Sequence, residues 1–242
     1  MTGTPAWSPP AAVVTLVVAL RQTAPVTEAE VEAAAAELSA RDPVIAALAA
    51  AAGPPRFEAP PGASHFAALV RSVLHQQLAG AAASAIHGRL VAALGGQVTP
   101  ESVLALAPGA MRAAGLSASK AASILDLAAR VADGTVRLDP AGLAAEADEE
   151  VVDRLATVRG IGRWTAEMFL IFQLGRLDVW PVADLGVRRG YGLAWQVPTP
   201  TPGQLRILGD PLRPFRSVAA WYCWRACEIH RRAPLPGPAS GP

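Results

Sequence analysis

The stretch Leu155-Ala-Thr-Val-Arg-Gly-Ile-Gly-Arg-Trp-Thr-Ala-Glu-Met-Phe-Leu170 constrains the fold of this chain more than any other. It predicts a helix, a tight hairpin at Gly160-Ile161-Gly162 and a second helix. Both glycines are expected to allow positive φ and close approach of the backbone to a partner, with no side chain in the way. The first N–H groups of the second helix have no acceptor inside that helix, so its start is an anion site. Arg159 and Arg163 flank the turn with positive charge. The combination suits a DNA backbone. A Gly-x-Gly pair alone is only a turn, and it is the full string that carries information.

Most of the remaining chain reads as helix. Thr27 and Glu30 form a capping-box pattern opening a helix to about Ala40, and Asp42-Pro43 starts another that stops near Gly53. The Pro- and Gly-rich segment Gly53 to Gly62 is a loop. Ser64 caps a helix expected to reach Leu78, with Phe66, Leu69, Val70 and Val73 at helical spacing, and a further helix runs from about Ala81 to Leu94. Thr99-Pro100-Glu101 opens a short helix, Gly115 to Ser117 makes a turn, and Ser119 to Asp133 is helical again. No segment shows sustained strand alternation. The expected fold is all-α, with roughly ten helices. Residues 1–24 read as a partly disordered N-terminal extension, 25–232 as the helical domain with its hairpin at 152–174, and 233–242 as a disordered tail.

With 242 residues, 52% of them hydrophobic, the chain can bury a core as one domain or two lobes. Its net charge of +1 is low for a protein that holds DNA mainly by charge, so contacts must lean on backbone amides and a few arginines. The apolar run Ala11 to Leu20 is too short to span a bilayer and lacks a basic head, which points to the cytoplasm. The two cysteines, Cys223 and Cys227, are one helical turn apart and read as small core residues. Two are too few for a four-cysteine iron–sulfur cluster.

The hairpin string, followed by Trp180-Pro-Val-Ala-Asp184-Leu-Gly-Val-Arg188, resembles the helix-hairpin-helix DNA glycosylases, and within them the 3-methyladenine DNA glycosylase II group. Arg159 departs from the proline usual there. The resemblance covers about Asp42 to Arg231. It implies two helical lobes with the hairpin and Asp184 lining the cleft between them. Larger members carry an additional α/β domain that this chain is expected to lack.

Breaking an N-glycosidic bond passes through a sugar cation, so a carboxylate near C1′ lowers the barrier and can accept a proton from the attacking water. Read locally, Asp184 caps the helical run Leu185 to Leu193. With the Gly-Ile-Gly hairpin upstream, it becomes the candidate catalytic residue. In the lyase branch of the family a lysine follows the position of Arg163 and attacks C1′ as an amine. Here that residue is Trp164, and Lys120 reads as a solvated surface charge.

The resemblance further implies a base pocket of Trp164, Trp224 and Met168, the last standing where relatives have tyrosine. Flat, electron-rich rings suit cationic alkylated purines. Leu74-His75-Gln76-Gln77-Leu78 matches the family's Gly-Gln-Gln segment, with Gln77 filling the gap left by a flipped nucleotide and His75 replacing the glycine. Gly160, Gly162, Arg163, Thr165, Gln76 and Gln77 are the implied DNA contacts. A monovalent cation would sit on the carbonyls of Ala156, Val158 and Ile161.

The function implied is a monofunctional glycosylase removing alkylated purines such as 3-methyladenine from double-stranded DNA. It would work as a monomer at the bacterial nucleoid, without a redox cofactor. Two alternatives stay open: a glycosylase of the same fold for a deaminated or oxidised base, and a helix-hairpin-helix module that grips DNA without chemistry.

Overall fold

The computed structural model describes residues 26–57, 64–78 and 80–232. The expected extension and tail, the run Ala11 to Leu20 and half of the Pro- and Gly-rich loop lie outside these residues. The described residues contain no strand, and none of their helices is long and apolar enough to cross a membrane.

Thirteen α-helices follow one another. They are α1 (Glu28–Arg41), α2 (Pro43–Ala52), α3 (His65–His75), α4 (Gly80–Ala93), α5 (Pro100–Leu104), α6 (Ala110–Ala113) and α7 (Ala118–Ala132). After these come α8 (Pro140–Ala145), α9 (Asp148–Ala156), α10 (Arg163–Met168), α11 (Leu185–Ala194), α12 (Pro202–Leu208) and α13 (Arg216–Arg232). The expected ten lacked α6, α8 and α12, which at 4, 6 and 7 residues are too short to show a period. Two of them do carry start signals. Asp139 accepts from the Gly142 N–H (2.6 Å), and Thr201 with Gln204 forms a capping box.

Helix α3 stops at His75, three residues short of expectation. Its last carbonyls turn to Lys120, whose Nζ donates to Leu74 (2.5 Å) and Gln76 (2.7 Å), and Gln77 enters the left-handed region at φ 57°. Lys120 is therefore a half-buried helix cap and not the solvated charge expected from its polar surroundings.

Two hydrophobic cores divide the chain. One is built from α3 to α10, around Leu69, Leu90, Ile124, Leu155 and Leu170; the other joins α1 and α2 to α11, α12 and α13, around Leu38, Ile45, Val187 and Tyr222. From α1 onward the described chain thus starts in one lobe, builds the other, and returns. Phe57 and Trp224 pack against both cores, so the lobes meet at Trp224.

Within the second lobe, α11 lies against α13 more closely than any side chain would permit. A Cβ on Gly190 would overlap the Cys223 carbonyl, and a Cβ on Gly186, one turn earlier, would stand 2.8 Å from Trp224 Cδ1 and 3.0 Å from Asp184 Oδ1. Gly190→Ala should therefore force the helices apart and destabilise the fold by about 2–3 kcal/mol. Urea titration of the variant beside wild type measures this directly.

Candidate active site

Val158 and Ile161 are buried in the first core and anchor the hairpin, and the Ile161 N–H donates to the Val158 carbonyl (3.1 Å) to close the turn. The Arg159 N–H donates to Asp126 Oδ2 (2.8 Å), which holds that carboxyl below its usual range. The two glycines differ. Gly160 has φ 75°, and a Cβ there would strike Ser123 Oγ, so the fold itself demands glycine. Gly162, expected to share that conformation, is extended at φ −94° and faces open space. Any residue could adopt its backbone.

Arg163 also corrects an expectation. Its guanidinium is not a free charge beside the turn: Nη2 and Nη1 donate to the two carboxylate oxygens of Glu149 on α9 (2.5 and 3.2 Å), and Nη1 lies 3.6 Å from Glu167.

The Trp180 indole donates to the Leu205 carbonyl (2.8 Å), and the Asp184 N–H donates to Pro181 (2.9 Å), which fixes the turn into α11. Asp184 then caps that helix by accepting from the Val187 N–H at Oδ1 (2.7 Å). Trp224 Nε1 donates to the same oxygen (3.0 Å), and Trp164 Nε1 donates to Oδ2 (2.5 Å). The capping role and the catalytic candidacy coincide in one residue. Asp184 is 9% exposed while Trp164 is 46% exposed, so the indole covers the carboxylate from the solvent side.

A cleft of about 620 Å³ opens beside it. Its walls bring together residues far apart in sequence: Ser72, His75, Gln76 and Gln77 on one side, Gly160, Gly162, Trp164, Thr165 and Met168 on the other. The Gln76 amide joins the two walls, with Nε2 donating to the Gly160 carbonyl (3.0 Å) and to Thr165 Oγ1 (3.2 Å). Gln77 is exposed, and a left-handed backbone on a non-glycine residue is strain of the sort kept at working sites. Burial and the neighbouring cations Arg71 and Lys120 push the His75 pKa down.

Trp224 does not line this cleft. It stacks on Phe172 (centroids 5.8 Å apart, 29° between planes) and faces a second cavity of about 380 Å³, with Trp221, Arg56, Arg225 and Glu228. Phe172 belongs to a single π-helical turn, Phe169–Gln173, that continues α10. Such turns recur at functional sites and leave no mark in a sequence pattern.

One titratable residue escaped the sequence reading altogether. Glu167 is buried at 4% exposure, its Oε2 has no hydrogen-bond partner, and desolvation raises its pKa to about 7 against Arg163. Its spacing of four from Arg163 was the available signal.

The sequence model described as HhH-GPD superfamily base excision DNA repair protein matches residues 70–214. The chain is similar to DNA-3-methyladenine glycosylase 1 of Schizosaccharomyces pombe, 38% identical over 167 residues, 66% of this chain and 72% of that protein. Among solved structures, the fold resembles the Schizosaccharomyces pombe 3-methyladenine DNA glycosylase in complex with abasic DNA (TM-score 0.70, 33% identity, 84% of this chain and 98% of that one). It also resembles a DNA-3-methyladenine glycosidase from Bacillus halodurans (TM-score 0.71, 31% identity, 87% and 94% covered).

The Glu167 environment makes stability depend on pH. A carboxyl raised from 4.5 to about 7 keeps its proton in the folded state where the unfolded chain has lost it. Its stabilising contribution is complete below the unfolded pKa and is lost as pH rises through the folded one. Between about pH 5 and pH 8 wild type should lose about 1–3 kcal/mol that Glu167→Gln does not lose. Denaturant titrations of both proteins at the two pH values give the difference.

Proposed function

Because the chain belongs to the HhH-GPD superfamily of base excision DNA repair proteins, we propose that it is a monofunctional DNA glycosylase that excises alkylated purines such as 3-methyladenine from duplex DNA. The observation that carries this reading is the position of Asp184. It is a largely buried carboxylate gripped by Trp164, Trp224 and the start of α11, next to a cleft formed by the hairpin and the Gln76-Gln77 loop. A binding module has no use for such a group.

The residues divide the work. The backbone at Gly162 meets a DNA phosphate, because nothing of the protein fills the space where its Cβ would be. Gln77, strained and exposed, enters the duplex where a nucleotide has left the stack, while Gln76 holds the loop to the hairpin. Trp164 and Met168 offer surfaces to the extruded base, while Trp224, outside this cleft, holds Asp184 through its indole. Asp184 Oδ2, released from Trp164, faces the sugar; there it opposes positive charge at C1′ and takes a proton from the attacking water.

Among the described residues no amine is placed to attack C1′. Trp164 occupies the position a lyase needs for lysine, and the Lys120 ammonium is committed to the carbonyls of Leu74 and Gln76. The product is therefore an intact abasic site. We also infer that a monovalent cation is held by the carbonyls of Ala156, Val158 and Ile161. These neutral oxygens lie at and just beyond the C-terminal end of α9, where the helix dipole is negative, and Val158 retains a lone pair after accepting from Ile161. When bound, the cation would stiffen the turn and add positive charge near the phosphate. The protein acts as a monomer on damaged double-stranded DNA.

The main test is single-turnover release of free 3-methyladenine from methylated duplex, with borohydride in a parallel sample. Asp184→Asn should lower the rate about 10²-fold or more while duplex binding persists, and wild type should yield no trapped covalent adduct. Excision by the variant at the wild-type rate would remove Asp184 from the mechanism, and an adduct would restore a lyase step.

Gly162→Val tests the hairpin. Its open surroundings and extended backbone predict an unchanged melting temperature. Binding to damaged and undamaged duplex should weaken by similar factors, of about tenfold, since the phosphate contact is shared. Full binding by the folded variant would reduce the hairpin to an internal turn.

A further inference from the structure

A protein that neutralises DNA phosphates with few cations has its affinity set by how available each one is. Arg163, the first residue of α10, adjoins the open face of Gly162 and is the cation closest in sequence to the expected phosphate. In the free protein both its terminal nitrogens are engaged. Glu149 takes two of its nitrogens through both carboxylate oxygens, at 2.5 and 3.2 Å, in the forked geometry by which a guanidinium also grips a phosphate. Glu167 lies 3.6 Å from the same guanidinium, and the charge of Arg206 on α12 also favours the ionised Glu149. Both members of the Arg163–Glu149 pair remain open to solvent, with side chains 49% and 69% exposed, so the pair can separate without unfolding anything.

We propose that Glu149 is an internal phosphate mimic: it occupies Arg163 in the free protein and competes with DNA for it, setting how tightly the hairpin holds undamaged duplex. This rests on the glycosylase reading above. Its chemical sense is that non-specific affinity comes almost wholly from phosphates neutralised, and a search through undamaged DNA is served by keeping that share small. Glu167, buried beneath the pair, keeps Arg163 at the hairpin when Glu149 lets go. The guanidinium then needs only to exchange one forked acceptor for another.

The test is a fluorescence-anisotropy titration of an undamaged 20-base-pair duplex with wild type, Glu149→Gln, Arg163→Ala and the double variant, each over a series of salt concentrations. Glu149→Gln should bind about two- to fivefold tighter than wild type, the range set by freeing an exposed pair. Its slope of log K against log salt should steepen by up to about one unit. The gain should fall away in the Arg163→Ala background, and the exposed Asp153→Asn on the same helix, which removes an equal charge, should not reproduce it. Circular dichroism of each variant checks folding.

Equal or weaker binding by folded Glu149→Gln overturns the proposal, and so does a gain that survives intact without Arg163 or that Asp153→Asn matches. Wild type that binds no duplex and releases no 3-methyladenine defeats the glycosylase reading and the proposal with it. Wild type that binds and excises while Glu149→Gln is unchanged defeats the proposal alone.

Discussion

The close contact of α11 with α13 is the constraint on which the site depends. Gly186 and Gly190 stand one turn apart on α11, and the absence of side chains there lets its backbone rest on α13 at Cys223 and Trp224. That approach brings the Trp224 indole to Asp184 Oδ1 while the same oxygen accepts from Val187. Were the helices a normal side-chain distance apart, the carboxylate would keep its cap and lose its indole. Trp224 also packs against both hydrophobic cores, so the contact that fixes the carboxylate is continuous with the contact between the lobes. On the far side, Trp164 reaches Oδ2 from the hairpin helix. Asp184 is thereby tied to three helices, α10, α11 and α13.

How much of this was legible in the sequence depends on the range of the interaction. Helices with a cap and a sustained apolar face, such as α1, α3 and α7, stand out because both signals are local. The Gly160-Ile-Gly162 string announced the hairpin, and the capping role of Asp184 could be read from the helix that follows it. What failed was non-local. That Lys120 would end α3 by reaching the carbonyls of Leu74 and Gln76 across 46 and 44 residues has no counterpart in any window. Nor does the engagement of Arg163 by Glu149, 14 residues upstream. The Gly186-x-x-x-Gly190 spacing was present in the sequence as a sign of close helix contact, and Glu167 at four residues from Arg163 was equally visible; neither has meaning until the facing helix is known.

The two hairpin glycines show how structure separates a folding requirement from a functional one. Gly160 needs its residue type for internal reasons, a left-handed backbone and the Ser123 hydroxyl alongside. Gly162 has no internal reason at all. Gly80, Gly88 and Gly203 are equally open, so what singles out Gly162 is its place in the hairpin on the wall of the cleft. Net charge gives the same indication from another direction: at +1, with a single lysine that is spent on capping, backbone amides must carry much of the grip on DNA.

The chemistry left in the site also bears on which bases it can remove. Expelling a neutral deaminated or oxidised base calls for a group that protonates it as it leaves. Among the described residues lining the cleft, the only titratable side chain is His75, and burial with the cations Arg71 and Lys120 biases it against holding a proton. Glu167 does hold one near neutral pH, but it is buried and faces Arg163. A base that already carries positive charge needs no such acid, because its glycosidic bond is weakened before the enzyme meets it. What it needs is flat electron-rich surface and a carboxylate to oppose the sugar cation. Trp164 and Asp184 supply those two things, which favours cationic alkylated purines over neutral lesions on the same fold.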